Sequence, residues 1–200
     1  MENRKKSKNR TIFTIGHSTR TLDELIELLR AHGAQRVIDI RTIPGSRRNP
    51  QYNRETLGPS LRAAKIGYVH LKSLGGLRKA RPDSKNAGWH NASFRGYADY
   101  MQTPDFEAAL KRAIKLSETK PSALMCAEAV PWRCHRSLVA DALTARNFPV
   151  EHIMSESRAN PHKLTPFAQV RGKKVTYPSD KSIRRRAARR KSKQSSKSRA

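Results

Sequence analysis

Reactive side chains are concentrated in one short stretch of this 200-residue chain. Cys134, His135 and Arg136 are consecutive, and they follow Cys126 and Glu128. A cysteine in the first turn of a helix is readily held as a thiolate, because the helix macrodipole and the free amides there favour negative charge. The pattern predicts Cys134 as a nucleophile, or His135 and Arg136 as contacts to a bound phosphate. Packing of Cys134 as a small apolar side chain is the structural alternative.

Glu128 is a carboxylate placed two residues after an apolar segment that ends at Cys126. We expect such a group to be partly desolvated, with its pKa raised into the range of a general acid or base. Pairing of Glu128 with an arginine is an equally good interpretation. Cys126 itself has the pattern of a buried packing cysteine, and a contact to the substrate is the alternative for it.

Polar residues also follow three other apolar segments. His17 is a second candidate proton carrier, and Ser18 beside it could hold a phosphate with the amides of a following helix or simply cap that helix. Asp39 interrupts an apolar segment, so its charge needs a partner such as Arg41, in a structural pair or in a substrate contact. The remaining candidate substrate contacts are Ser46, Arg47, Gly75 and Gly76.

Zinc is the metal whose preferred ligands occur here, since Cys126, Cys134, His135 and His17 all have the required softness. The chain has no CxxC pair and no HExxH motif, and the adjacent Cys134 and His135 would point in different directions on a helix. We therefore predict no metal site and no other cofactor. A redox or metal sensor built on the two cysteines is kept as an alternative function.

The elements that must position these residues are five strands alternating with helices. Short apolar or β-branched segments predict strands at residues 11–15, 37–40, 68–71, 122–126 and 150–153. Helices are predicted from the capping box at Thr21 to about Gly33, over about 57–65, after Thr103, and over 133–146. The alternation predicts the α/β class, with a single three-layer domain around a mainly parallel sheet of about five strands.

Two segments between these elements are harder to assign. The second helix would have Thr56 as its cap and Pro59 in its first turn. Residues 72–95 have no clear period and are predicted as a long loop, followed by a short helical piece over 96–101.

Because ligands bind at the carboxyl edge of a parallel sheet, where the strand order reverses, we expect the polar connections to converge there.

The charge of +26 is distributed unevenly along the chain. Residues 1–10 and 158–200 are rich in Lys and Arg, and residues 158–200 carry fifteen of these basic residues and one acid. Such segments cannot bury enough apolar surface to fold, so a disordered arm over 1–10 and a mostly disordered tail over 158–200 are predicted around a domain over 11–157. The tail could attract nucleic acid, or it could serve only solubility.

Two cysteines do not form a disulfide framework, and this favours a reducing, cytoplasmic location. The amino terminus has no apolar stretch of the secretory kind, and no window approaches a membrane span. We expect a soluble protein with no membrane partner.

Taken together, five separated motifs resemble the domain-of-unknown-function family numbered 488. The motifs are Thr14 to Ser18; Asp39 to Arg41 with Pro44, Ser46 and Arg47; His70 and Leu71 with Leu74 to Gly76; Phe94 to Tyr97 with Tyr100 and Met101; and Cys126 to Glu128 with Cys134 to Arg136. The resemblance covers residues 11–157 and excludes the basic tail. It implies a small α/β protein with a site at these motifs, and it supplies no reaction.

The sequence is compatible with two functions. The first is an enzyme, a hydrolase or transferase, that acts on an anionic, phosphate-bearing small molecule such as a nucleotide or a nucleic-acid component. In it Arg41, Arg47 and Arg136 would hold anionic groups, and Glu128 would be the acid, base or nucleophile. The second is a non-enzymatic nucleic-acid-binding protein that uses the tail, although no known nucleic-acid-binding motif is visible.

Overall fold

A computed structural model describes residues 10–179, and this part of the chain forms eight strands and five helices. The strands are β1 (Ile12–Gly16), β2 (Arg36–Asp39), β3 (Gly67–His70), β4 (Ser122–Cys126), β5 (Val150–Ser155), β6 (Arg158–Pro161), β7 (Gln169–Arg171) and β8 (Lys174–Thr176). The helices are α1 (Leu22–Ala31), α2 (Arg54–Ala63), α3 (Ala92–Tyr100), α4 (Pro104–Thr119) and α5 (Arg136–Thr144). The predicted arm over 1–10 and the end of the tail, 180–200, lie almost wholly outside the described residues.

Six of the strands form one sheet in the order β3-β2-β4-β1-β5-β6. The first five strands are mutually parallel, and β6 is antiparallel to β5. The α/β class and the mainly parallel sheet are thereby confirmed, with β6 added at one edge. The remaining two strands, β7 and β8, form a separate antiparallel ribbon.

Helices cover both faces of the sheet, because successive side chains of a strand point to opposite faces. On one face α1 and α2 bury Leu25, Leu29 and Leu57 against residues such as Val37 and Met125. On the other face α3, α4 and α5 bury side chains that include Tyr97, Phe106, Leu110, Leu138 and Leu143 against Ile38 and Leu124. The chain therefore has the predicted three layers.

Helix starts follow their capping residues closely. Thr21 caps α1 through the predicted capping box with Glu24, and Thr103 caps α4 by accepting a hydrogen bond from the Phe106 amide. The start of α2 was predicted wrongly: Asn53 is its N-cap and Pro59 lies inside the helix. The predicted loop over 72–95 ends early as well, because Asn91 caps α3 by accepting from the Ser93 and Phe94 amides.

The ordered chain continues beyond residue 157, where the sequence had placed the end of the domain. Strands β6, β7 and β8 follow, and Val175 and Tyr177 are buried in the main core. The Tyr177 hydroxyl donates to the Asp141 carboxylate at 2.7 Å. The high local charge of this segment hid these few apolar residues, each of which is buried by tertiary contacts and not by a periodic pattern.

The strand order sets the geometry of the sheet edge at which a ligand would bind. Strand β4 lies between β2 and β1, and the helices that follow β1 and β2 cover one face while α5, which follows β4, covers the other. The connections therefore diverge around the carboxyl end of β4. None of the helices between residues 10 and 179 combines the length and apolar character needed to cross a membrane.

Candidate functional site

Two sulfur atoms and one ring nitrogen meet where β4 ends. The Nδ1 atom of His135 lies 3.9 Å from Cys126 Sγ and 3.7 Å from Cys134 Sγ, and all three atoms lie within 4.8 Å of one another. Both cysteines are buried and His135 is half-buried. We call these three residues the Cys–His cluster.

The cluster exists because Cys134 is not on a helix. A 3₁₀ turn over Pro131–Arg133 precedes it, its own backbone is extended at φ −132° and ψ 145°, and His135 is the N-cap of α5. The prediction that a helix runs through 133–146 was therefore wrong at its start. So was the expectation that Cys134 and His135 point apart, because that argument required helical geometry for both.

The ring of His135 is held in one orientation. Its Nε2 atom lies 3.2 Å from the Ile40 carbonyl oxygen, which can only accept, so Nε2 carries the hydrogen in the neutral ring. The lone pair of Nδ1 is then directed at the two sulfurs. Gly76 packs against the same ring: a Cβ atom built there would lie 3.0 Å from Nδ1.

The two thiols differ in acidity because they interact with each other. The pKa of Cys126 is lowered well below its usual range, mainly by a hydrogen bond from the Cys134 thiol and also by Arg136 and by His135 in its charged form, while burial opposes the shift. The same hydrogen bond and burial raise the pKa of Cys134. The sequence had favoured Cys134 as the nucleophile, whereas these surroundings favour Cys126 as the more anionic sulfur.

Arg136 is a buried cation beside the cluster, with 1% of its surface exposed. Its Nη2 atom donates to the Ala129 carbonyl at 3.2 Å, and its backbone amide donates to Cys134 Sγ at 3.4 Å. The guanidinium atoms Nε and Nη1 have no hydrogen-bond partner among the described residues, and burial lowers the pKa of the group. A ligand in the solvent cannot reach Arg136 directly, so its charge acts on the sulfurs.

A cavity of about 440 Å³ opens over the cluster. Cys126, Cys134 and His135 line it together with two exposed charged residues, Glu128 and Arg133. Its apolar lining includes Ile43, Leu77, Phe94 and Tyr97. We call this cavity the edge cleft. Glu128 is solvent-exposed, contrary to the expectation that burial would desolvate it.

Asp39 and Arg41 form a buried ion pair. The carboxylate of Asp39, 0% exposed, accepts from Arg41 Nε at 2.9 Å and Nη2 at 2.6 Å, and it also accepts from the Tyr68 hydroxyl. Arg41 Nη2 donates further to the Tyr52 carbonyl. Although Arg41 reaches the wall of the edge cleft, its guanidinium is occupied by these partners. The structure favours the structural interpretation of this pair.

His17 and Ser18 lie outside the described lining of the edge cleft. The His17 and Ser18 amides donate to the carbonyls of Cys126 and Ala127, which joins the ends of β1 and β4 directly. His17 stacks on Tyr52, its Nδ1 contacts the Ser18 carbonyl and its Nε2 contacts Arg41 Nη1. Burial lowers the pKa of His17. Both ring nitrogens are engaged, so His17 does not serve as a free proton carrier.

The other predicted contacts divide between the cleft and the surrounding loops. Ser46 lies in the loop before α2, where its amide donates to the Asn53 side chain, and the exposed Arg47 does not line the cleft. Gly75 allows a close approach, since a Cβ there would lie 2.5 Å from Thr42 Oγ1. Gly76 lines the cleft.

Sequence reasoning missed several cleft residues. Arg133 was not among the predicted site residues, although it directly precedes Cys134, and Phe94 and Tyr97 appeared only within a family motif. Ile43 and Leu77 are exposed apolar residues, 69% and 79% exposed, with no signal of their own. They meet because the loops after β2 and β3 lie on the same side of β4.

Comparison with known proteins shows the family of this chain. A family model described as domain of unknown function DUF488 matches residues 21–143. No curated protein and no solved structure matches the chain.

Proposed function

The chain belongs to the family described as domain of unknown function DUF488, and because that description assigns no reaction we propose a function from the site itself. The protein is an enzyme, a hydrolase or transferase, that acts on a phosphate-bearing small molecule in the edge cleft. The substrate class is a nucleotide or a nucleic-acid component. The observation that supports this proposal best is the convergence of the Cys–His cluster, Glu128 and Arg133 on one cavity.

The composition of the cleft supports the substrate class. Arg133 is an exposed guanidinium, which suits a phosphate because its donors match two oxygens at once. Ile43, Leu77 and Phe94 offer an apolar surface to a flat ring such as a nucleobase. A cavity of about 440 Å³ is within the ordinary range for small-molecule sites.

The chemical groups have separable roles. Glu128 is the carboxylate in the cleft that exchanges a proton with the substrate or with water. The Cys–His cluster forms the reactive floor, and it requires both sulfurs as thiols or thiolates, which suits a reducing compartment such as the cytoplasm. Arg136 supplies a fixed positive charge behind the sulfurs and does not contact the substrate.

The test combines ligand binding with turnover on the full chain. A thermal-shift screen with mononucleotides and sugar phosphates should give a ligand that raises the melting temperature, because binding to the native state stabilises it. Arg133→Gln should reduce that shift, whereas Arg112→Gln, an exposed arginine on α4, should not. A hydrolysis assay on the ligands found then tests chemistry.

Glu128→Gln should lower kcat by roughly 10²–10⁴ with little change in ligand binding, as expected for loss of a general acid or base. Glu118→Gln, which alters an exposed carboxylate on α4, is the matched control. If the ligands bind but neither the wild-type chain nor any variant turns them over, the protein is a binding protein and the enzymatic proposal is wrong.

A further inference from the structure

We propose that the Cys–His cluster binds one Zn²⁺ ion through Cys126 Sγ, Cys134 Sγ and His135 Nδ1, with a fourth coordination position open to the edge cleft. The binding of the ion is argued from the geometry of the three side chains alone. Its chemical role, described below, rests on the proposed function.

The separations of the three atoms match those of a tetrahedral zinc site. Zn–S bonds of about 2.3 Å and Zn–N bonds of about 2.0 Å place sulfur and nitrogen ligands roughly 3.6 Å apart. The observed distances from His135 Nδ1 to the sulfurs of Cys126 and Cys134 are 3.9 and 3.7 Å. Closure around an ion therefore requires the nitrogen-to-sulfur distances to shift by only a few tenths of an ångström, and the two sulfurs already lie within 4.8 Å of each other.

The donors are also prepared for a cation. A zinc-binding histidine usually donates its other ring nitrogen to a carbonyl or carboxylate, and His135 Nε2 has this contact with the Ile40 carbonyl. On the sulfur side, the Arg136 amide donates to Cys134 Sγ. The buried Arg136 guanidinium, with two unpartnered nitrogens among the described residues, offers further positive charge to thiolates. Two thiolates and a divalent ion are neutral together, so this site can be buried.

A glycine packs directly against the ligating edge of the His135 ring. A Cβ atom at Gly76 would lie 3.0 Å from Nδ1 and 3.4 Å from Cε1 of His135, so any larger residue would crowd the ring next to its ligating atom. Gly45, by contrast, has a single neighbour, at 4.0 Å, and provides a matched position for comparison.

The ligand set selects the metal and indicates its use. Thiolate and imidazole are soft ligands that favour zinc over magnesium or calcium. Structural zinc sites have four protein ligands, while catalytic sites have three and keep one position for water or substrate. The cluster contains three ligand residues among residues 10–179, and all three line the edge cleft. A water molecule bound at the open position would be acidified, and Glu128 would accept its proton.

The first test measures metal binding on the reduced full chain. After incubation with ZnCl₂ and dialysis against metal-free buffer, we expect one zinc per chain by elemental analysis. Replacement by Co²⁺ should give a thiolate-to-metal charge-transfer band and the intense visible bands of a tetrahedral site. Zinc should also protect both cysteines from alkylation. A chain that retains no zinc and whose cysteines stay reactive in its presence would overturn the proposal.

Variants identify the ligands. Cys126→Ser and His135→Gln should each weaken zinc binding by more than about 100-fold, the upper end of what an outer-shell change costs, whereas His90→Gln, an exposed histidine, should not. Gly76→Ala should weaken it more than Gly45→Ala does. Unchanged affinity in Cys126→Ser, or a Co²⁺ spectrum without thiolate bands, would show that the ion binds elsewhere. If a cysteine variant does not fold, the Gly76 comparison and the alkylation of the wild-type chain still decide.

Failure of this inference is distinguishable from failure of the proposed function. Full turnover by chain prepared free of metal and assayed with a chelator would overturn the chemical role of the zinc and leave the enzyme proposal intact, whereas absence of bound zinc in the first test overturns the site itself. One tightly held zinc in a chain without turnover would do the reverse. A Cys126–Cys134 disulfide that forms under air while the chain keeps its zinc would also contradict ligation of the ion by these sulfurs.

Discussion

At the scale of single residues, Asp39 shows how a charge is retained inside this fold. The carboxylate lies on a strand covered on both faces, and four hydrogen bonds from Arg41 and Tyr68 reach it, among them the Arg41 amide. A buried charge is tolerated only when its lone pairs are satisfied in this way. The pair also fixes the loop that follows β2 at the wall of the edge cleft.

Asp39→Asn should lower the free energy of unfolding by about 3–5 kcal/mol, because it leaves the Arg41 guanidinium buried without its counter-charge. The measurement is urea unfolding at neutral pH. Asp83→Asn, which removes an exposed partner of Arg81, is the matched control and should have little effect. Equal effects of the two substitutions would show that burial does not matter at Asp39.

His152 is a second residue with a consequence that can be measured. Its Nδ1 contacts the Thr14 hydroxyl and its Nε2 contacts His162, which in turn contacts Asp141. Burial, followed by the nearby His162 and Arg136, lowers the pKa of His152 from 6.5 to about 3. The unfolded chain therefore binds a proton between these pH values that the folded chain does not.

This pKa shift predicts a pH-dependent stability with a defined sign. The contribution of His152 to the free energy of unfolding is complete above pH 6.5. It is lost as the pH falls toward 3, by about 1.4 kcal/mol per pH unit. Urea unfolding between pH 4 and 6 measures how steeply the free energy of unfolding depends on pH. This slope should be smaller in His152→Gln than in the wild type, by the equivalent of about one bound proton, and His90→Gln should keep the wild-type slope. An unchanged slope in His152→Gln would mean that this ring is protonated in the folded chain.

At the scale of elements, the two loops that meet at the sheet edge are fixed to each other by backbone contacts. A Cβ atom at Gly16 would lie 1.8 Å from the Glu128 carbonyl oxygen, so only glycine allows the ends of β1 and β4 to approach as they do. The ends of these two strands are therefore in direct backbone contact. The edge cleft opens on the other side of β4, above β2 and the loop after β3.

The ribbon of β7 and β8, like β6, is an element that the sequence did not predict. Tyr177, just after β8, is 0% exposed and contacts Asp141 of α5, while Trp89 and Phe167 pack near its ring. This segment therefore completes the core on the face of α5.

Tyr177→Ala should lower the free energy of unfolding by about 3–5 kcal/mol, the usual cost of truncating a buried aromatic side chain. Thermal or urea unfolding of the full chain measures it. Val170→Ala, at a residue of β7 that is 40% exposed, should change stability much less. If Tyr177→Ala unfolds like the wild type, residues beyond 157 do not contribute to the folded core.

At the scale of the whole molecule, positive charge is found both in residues 180–200 and at the edge cleft, and the two places suit different anions. Residues 180–200 hold ten Lys and Arg and one acid, and they lie outside the described part of the chain. We propose that they attract nucleic acid through phosphate contacts that release counterions. The edge cleft, with the single exposed guanidinium of Arg133 among its described lining, is suited to a small anion instead.

Replacing the ten basic residues of 180–200 by Ser and Gln, at unchanged length, should weaken binding to a duplex DNA oligonucleotide. It should also flatten the dependence of log K on log salt, since fewer counterions are released. The thermal shift caused by a mononucleotide should stay unchanged, and Arg133→Gln should give the opposite pattern. Equal salt slopes for the wild-type and substituted chains would contradict a role for the tail in this binding.

Local sequence determined the five parallel strands, the starts of α1 and α4, and the list of reactive residue types. Thr21 with Glu24 and Thr103 with Pro104 predicted the starts of α1 and α4, and the apolar run over Ser122–Cys126 predicted β4 to the residue. These features depend on neighbours within one or two turns or on a single strand, so they can be recognised without the rest of the chain. Cys126, Cys134, His135 and Glu128 were also found this way, by residue type.

Only the tertiary structure decided which candidates act together. Arg41 and His17 have suitable chemistry, but their partners Asp39, Tyr52 and Ser18 engage them. The Cys–His cluster forms because one extended residue precedes α5 and because Gly76, distant in sequence, leaves room beside the ring. Such contacts are set by strand order and loop approach across the sheet, and neither leaves a periodic signal in the sequence.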